Sequence, residues 1–145
     1  MRIVIVPTPA GKPWNGATIY QEALGGSEAA AAFTAKSLVK QGAVVTVVSH
    51  GDPGSFDGVE YVHVSQIGSA LAQQWDVVIA SRWVEALNYP WQAKYRVLWL
   101  HDLPYLQGVA LPVHKVFVLS EFQARAWGIS PEYVFLTSNG YDPSL

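Results

Sequence analysis

One histidine of this chain has the position of a residue that does chemistry. His101 and Asp102 directly follow an apolar run at residues 97–100. An imidazole placed there can donate a hydrogen bond to a hydroxyl group or carry a proton, and Asp102 could orient it or cap the following turn. We therefore predict His101 and Asp102 as site residues. His50, which also follows an apolar run, is a weaker candidate.

A glycine pair opens the second candidate group. Gly25 and Gly26 precede Ser27 and Glu28 at the start of an alanine-rich run, after a connection of about twenty residues rich in Gly and Pro. Glycine lets a backbone approach a ligand closely, and a helix N-terminus offers unpaired N–H groups that suit a phosphate. A plain helix start with Ser27 as the N-cap explains the same residues equally well.

Two later pairs occupy comparable positions. Ser120 and Glu121 follow the sixth apolar run of the chain, and Asn139 and Gly140 follow the seventh. Ligands bind outside the carboxyl ends of the strands in an open parallel sheet, so we keep all four as candidate site residues. Each pair also has a structural explanation, because Ser is a common N-cap and Asn-Gly a common turn.

The elements that must position these residues alternate between strands and helices. Short runs rich in β-branched residues occur at residues 2–6, 44–49, 61–64, 77–80, 96–100, 116–119 and 133–136. Helices are predicted over residues 27–41, 65–74, 83–88 and 121–127. This alternation is typical of a parallel sheet covered on both faces. We expect an α/β fold of the Rossmann-like kind, with three α/β/α layers and a mostly parallel sheet of about seven strands.

Composition excludes several classes of function. The 145 residues are 50% hydrophobic and 14% charged, against roughly 25% charged in an ordinary soluble domain, which indicates that part of the surface meets a partner, a second copy of the chain included. The net charge of −2 without a basic cluster argues against nucleic acid and anionic membranes. Pro7 and Pro9 interrupt the apolar start too early for a membrane span, and the lack of cysteine makes the cytoplasm the expected compartment.

Several well-known site motifs are absent from the sequence. It contains no P-loop, no G-x-G-x-x-G after the first strand, no H-E-x-x-H and no Asp-x-Asp pair. We therefore expect neither a metal ion nor a bound cofactor.

The order of the motifs resembles the N-terminal domain of retaining GT-B glycosyltransferases, the branch that includes glycogen synthase, sucrose synthase and many bacterial hexosyltransferases. The resemblance rests on Gly25–Glu28 and on residues 42–48, 75–80, 97–102, 116–122 and 138–143, and it spans nearly the whole chain. Ala43 stands where the family usually has His. Since it precedes a buried strand, we expect little consequence.

The resemblance implies a two-domain enzyme that moves a sugar from a nucleotide-sugar donor to an acceptor, with retention of configuration and without a metal. It implies that Gly25, Gly26 and Ser27 approach the donor diphosphate and that His101, with Asp102 beside it, contacts the transferred sugar. The remaining candidates, implied to face substrate or the second domain, are Glu28, Ser120, Glu121, Asn139 and Gly140. Residues 1–145 then form one Rossmann-like domain that lacks its C-terminal nucleotide-sugar domain, and this chain alone is expected to be inactive.

Two other classes of function remain open on the residues. One is a free-standing Rossmann-like module that binds a nucleotide or NAD without catalysis. The other is an interaction protein in which the stretch rich in Trp and Tyr, residues 75–99, forms a permanent interface.

Overall fold

Strands make up much of the chain in the computed structural model, which describes residues 1–104 and 113–138. The strands are β1 Arg2–Pro7, β2 Val44–Ser49, β3 Gly54–Phe56, β4 Val59–His63, β5 Gln74–Ser81, β6 Gln92–Trp99, β7 Lys115–Val118 and β8 Val134–Leu136. The α-helices are α1 Gly26–Lys40, α2 Ile67–Leu71 and α3 Glu121–Trp127. Short 3₁₀ turns lie at Thr18–Tyr20, Val64–Gln66, Val84–Asn88 and Pro131–Tyr133.

One eight-stranded sheet contains all of these strands, in the order β3-β4-β2-β1-β5-β6-β7-β8. Neighbouring strands run parallel except for β3 and β4, which are antiparallel. The predicted α/β class and mostly parallel sheet are confirmed. The expected number of strands was one too low, because β3 was missed.

The missed strand is half of a small hairpin. β3 has three residues, and Asp57 and Gly58 turn the chain into β4 with positive φ angles of 53° and 76°. An Asp-Gly pair between two strands is a strong hairpin signal in a sequence. The neighbouring run Gly-Ser-Phe has a single large apolar residue, which is why a hydrophobic pattern alone passes over it.

The helices agree with the sequence in place and differ in length. α1 and α3 occupy the predicted stretches, whereas the stretch 65–74 is a 3₁₀ turn followed by the five residues of α2. The stretch 83–88 forms a 3₁₀ helix instead of an α-helix. Pro90 lies two residues beyond it and restricts the residue before it to extended conformations, so the turn cannot grow into an α-helix.

Apolar residues of the sheet form a cluster on each face. On one face Ile3, Ile5, Val45 and Val47 pack with Ala31, Ala32 and Ala35 of α1. The other face brings Val4, Val6, Leu98 and Val118 together with Ala70 of α2, Ala86 and Ala124 of α3. Because β1 contributes to both clusters, its side chains are almost fully buried, as its continuous apolar pattern predicts.

The strand order reverses beside β1. The chain runs from β1 outward to β2 and β4, then returns to place β5 on the opposite side of β1, with Pro7 paired to Ser81. In open α/β sheets such a reversal leaves a crevice outside the carboxyl ends of the two strands, because their connections leave in opposite directions. This rule places such a crevice beyond Pro7 and Ser81.

Within residues 1–104 and 113–138, no helix combines the length and the apolar character needed to cross a membrane.

Candidate functional site

His101 lies close to this reversal of the strand order, beyond the end of β6. It follows β6 by two residues, and its Nε2 is hydrogen-bonded to the hydroxyl of Ser81 at 3.1 Å. β5 and β6 are paired so that Ser81 is opposite Trp99. The rings of Trp99 and His101 are 4.7 Å apart. Two strand ends distant in sequence therefore fix one imidazole ring.

The environment of His101 favours its neutral form. Partial burial lowers the pKa of His101 below its usual value of 6.5, the Asp102 carboxylate opposes this shift, and the Arg82 guanidinium adds to it. A neutral imidazole has one nitrogen that donates a hydrogen bond and one that accepts. The ring is therefore suited to bind a hydroxyl group at neutral pH.

Asp102 is held by groups other than His101. Its carboxylate accepts a hydrogen bond from Arg82 Nε, and its backbone carbonyl accepts from Gln123 Nε2 at 3.0 Å and from Trp127 Nε1 at 2.9 Å. Of the two roles considered for Asp102, orienting His101 or capping the following turn, the first finds no hydrogen bond between the two side chains among the described residues. Asp102 instead acts on the imidazole through its charge and ties the end of β6 to α3.

Arg82 has an unusual backbone. Its φ of +65° is in the left-handed region, and its N–H donates to the carbonyl of Trp99 at 2.9 Å. This conformation costs about 1 kcal/mol or more for a residue with a side chain. The side chain that results spans from the end of β5 to Asp102 beyond β6.

The glycine pair at the start of α1 is on the same edge of the sheet. Gly25 is the N-cap residue without a side-chain cap, and α1 begins at Gly26. Ser27 is thus inside the first turn, where its hydroxyl donates to the Glu28 carboxylate at 3.1 Å, so the N-cap reading of Ser27 is wrong. A Cβ on Gly26 would meet no atom within 4 Å. Backbone N–H groups there can be approached by a ligand.

Glu28 connects α1 with His101 electrostatically. Its negative charge raises the pKa of His101, the smallest of the four influences on that ring. A Cβ on Gly25 would lie 2.3 Å from a carboxylate oxygen of Glu28, so this carboxylate folds back over the glycine. The structure therefore brings the first turn of α1 within electrostatic reach of the imidazole.

The remaining predicted residues either make their described contacts within α3 and its cap or lie outside the described residues. Ser120 is the N-cap of α3, its hydroxyl accepting from the N–H of Gln123 at 3.0 Å. Glu121 is exposed and 3.8 Å from Arg125 on the same helix. Asn139 and Gly140 lie outside the described residues.

Ser81 and Arg82 were missed by the sequence analysis. They directly follow the apolar run at residues 77–80, so they satisfy the same rule of position that selected His101. In the described part of the chain, no group of three or more His, Asp or Glu side chains is arranged to hold a metal ion.

The fold and this edge together define an α/β protein with polar side chains at the reversal of its strand order. No protein-family model matches the chain, and a search of curated proteins finds no match.

Proposed function

We propose that this chain is the N-terminal, acceptor-side domain of a retaining glycosyltransferase that uses a nucleotide-sugar donor. The observation that carries the proposal is a neutral, partly buried imidazole at the reversal of the strand order, within electrostatic reach of a glycine-opened helix. The proposal includes a Rossmann-like arrangement of three layers, with α1 on one face of the sheet and α2 and α3 on the other.

The diphosphate of the donor is proposed to bind at the first turn of α1. The N–H groups of that turn and the helix dipole stabilise negative charge, which grows on the leaving oxygen as the bond to the sugar breaks. Gly25, Gly26 and Ser27 would supply these N–H groups. This electrostatic support works without a metal ion.

His101 is proposed to bind a hydroxyl group of the transferred sugar. Its hydrogen bond through Nε2 to the Ser81 hydroxyl fixes the ring and leaves Nδ1 for the sugar, as donor or acceptor according to the tautomer. Glu28 would contact substrate from the start of α1. Residues 120–121 and 139–140 enter the proposal by resemblance alone.

Retention of the anomeric configuration is proposed to occur by front-side displacement. In this mechanism the acceptor attacks the sugar from the same face from which the leaving group departs. The carboxylate next to His101 in the chain, that of Asp102, accepts a hydrogen bond from Arg82. A covalent nucleophile in this crevice is therefore not part of the proposal. The nucleotide base and ribose would be bound by a second domain, the whole enzyme working in the cytoplasm.

A transfer assay on the complete gene product tests the proposal. A panel of nucleotide sugars is supplied, and the release of nucleoside diphosphate is measured for the wild type and His101→Ala. We expect at least a tenfold lower turnover in the variant, with an unchanged circular dichroism spectrum. His114→Ala is the matched control, because His114 is exposed and contacts the N–H of Arg96 away from the crevice. Unchanged turnover in His101→Ala would remove this residue from the site.

One observation favours an interaction surface as a second function. On the face of α1, the outer strands expose Tyr95 and Phe135 at 58% and 55% of their surfaces, and Phe135 packs against Phe117. Apolar patches of this kind mark interfaces, whether with a second domain or with another copy of the chain. Sedimentation of the 145-residue chain distinguishes these, since only self-association depends on its concentration.

A further inference from the structure

A cavity lies at the same carboxyl edge of the sheet as His101, but on the other side of β1. It has a volume of about 470 Å³ and is bounded by the segment 13–21 of the β1–α1 connection and by the ends of β2 and β4. Its size falls within the roughly 300–1,000 Å³ of sites for small molecules. None of Ser81, Arg82 and His101 lines it.

The walls of this cavity are held by tight packing. The Trp14 side chain is 1% exposed, and its carbonyl accepts a hydrogen bond from the Ser49 hydroxyl at 2.9 Å. A Cβ on Gly51 would lie 2.2 Å from that same carbonyl oxygen, so the two backbones touch. Asn15 Nδ2 donates to the carbonyl of Asp52 at 3.1 Å, which closes the connection over the strand ends.

Three side chains of the lining, of which Asp52 and Gln21 are exposed and His63 is partly buried, have hydrogen-bonding groups that the fold does not use. His63 Nδ1 accepts from the N–H of Ser65 at 3.1 Å, so in the neutral ring Nε2 has the proton and is a donor. Within the described part of the chain, no hydrogen bond engages the Asp52 carboxylate or the Gln21 amide. The cavity thus offers a donor, an acceptor and a group that is both.

His50, which also lines the cavity, has one ring nitrogen without a partner. Its Nε2 is 3.3 Å from the carbonyl of Gly11, which can only accept, so the neutral ring has its proton on Nε2. Its Nδ1 is buried and has no hydrogen-bond partner among the described residues. Because this atom has almost no exposed surface, it is not counted among the groups that the cavity offers to a ligand.

The charges of the lining select the class of ligand. Asp52 is its one carboxylate, and neither Lys nor Arg is among the described residues that form it. An anion would be repelled by Asp52 without a compensating Lys or Arg, and a metal ion would lack a set of ligands among the described residues. An ammonium group, which only donates, could pair with Asp52 but could not accept from Nε2 of His63. A hydroxyl group can donate to a carboxylate while it accepts from an imidazole.

We infer that this cavity binds a small, neutral, polyhydroxylated molecule, with adjacent hydroxyl groups on Asp52, Gln21 and His63. The inference does not depend on the proposed function, because it concerns binding alone and other residues. In the strand order the cavity and His101 are on opposite sides of β1, so both can be occupied at once.

Binding of defined probes to the 145-residue chain tests this inference. Glucose and myo-inositol are the neutral probes, and glucose 6-phosphate and glucosamine are their charged counterparts. We expect amide NMR shifts at residues 14–21, 49–52 and 63 with a Kd of about 1 mM for a neutral probe. Asp52→Asn should weaken this binding about tenfold, since hydrogen bonds to a charged group are among the strong ones. Gln21→Ala should weaken it by a smaller factor.

Glu60→Gln is the matched control, because Glu60 is an exposed acid of β4 that does not line this cavity. The inference is wrong if neither neutral probe shifts these amides at about ten times that concentration. It is also wrong if Asp52→Asn binds as well as the wild type, or if either charged probe binds more tightly than its neutral counterpart. Loss of sugar transfer in the complete enzyme would have no bearing on these shifts.

Discussion

The two edges of the parallel sheet use their polar residues differently. At the amino edge, Arg2 donates through its N–H to the Asp76 carboxylate at 2.7 Å, through its guanidinium to the carbonyl of Gln74 at 2.8 Å, and lies over the ring of Trp75. Lys94 is 3.2 Å from the same Asp76 carboxylate. These charges satisfy one another, which is the arrangement expected of groups that stabilise a fold.

At the carboxyl edge, several polar side chains are held in place but keep hydrogen-bonding atoms that have no partner. His101 is fixed by Ser81 and kept neutral by burial, and Asp52, Gln21 and His63 line a cavity without pairing with one another. This difference indicates that the amino edge mainly stabilises the fold and that the carboxyl edge mainly serves function. Substitutions at the amino edge should change stability alone, whereas most side-chain substitutions at the carboxyl edge should change binding.

The largest effect on stability is expected at the carboxyl edge, where two backbone segments are in direct contact. Gly51→Ala should destabilise the fold by about 3 kcal/mol, because the new Cβ would meet the backbone of Trp14, which cannot move without opening the core. Urea unfolding measures the change. Gly68→Ala is the control, since a Cβ in α2 meets no atom within 4 Å and should stabilise by about 0.5 kcal/mol. Equal unfolding midpoints for the two variants would contradict this packing.

A smaller effect is expected from the titration of His101. Because its folded-state pKa is lowered, the unfolded state binds the proton more readily, and stability decreases as the pH falls below 6.5 toward the folded-state pKa. His101→Gln should remove this part of the acid sensitivity. Thermal melts between neutral and mildly acidic pH measure it. A variant that keeps the full wild-type dependence would show that His101 is not held neutral.

A still smaller effect, at lower pH, is expected from Asp76. The N–H of Arg2 and then the Lys94 ammonium lower the pKa of Asp76 below 3.8. Its contribution to stability is therefore present above this value and is lost as the pH falls through the lowered pKa. Asp76→Asn should make the melting temperature depend less on pH in strong acid. It should not change ligand binding at the carboxyl edge. A change in the binding of the sugar probes would show that the amino edge also affects binding at the carboxyl edge.

The smallest effect is expected on the surface of α3. Glu121→Gln removes an exposed pair with Arg125 and should change stability by less than about 0.5 kcal/mol. Chemical denaturation of the variant provides the measurement. A loss well above this value would mean that Glu121 has a contact beyond its own helix.

The sequence predicted most of the strands because each is encoded locally. Runs such as residues 44–48 are apolar at nearly every position, and only a strand buried on both faces explains such a run. The helix at 83–88 was predicted less well. Its residues favour helix, but Pro90 and the start of β6 leave room for only a 3₁₀ turn.

The candidate site was predicted in part. His101 was selected by its place after an apolar run, and the same rule would have selected Ser81 and Arg82. That Asp102 turns to Arg82 could not be predicted, because the left-handed φ of Arg82 depends on its bond to the carbonyl of Trp99. The cavity beside Asp52 was not predicted, since its walls come from three separate stretches of chain.

By itself the sequence determined the α/β class, the buried central strands and the placement of His101 at a strand end, because hydrophobic patterns act within a few residues. Only the tertiary structure decided that Ser81 fixes His101, that burial lowers the pKa of this imidazole, and that Trp14 meets Gly51. These contacts join residues far apart in the chain. They depend on strand register and on exclusion of water, which no local pattern encodes.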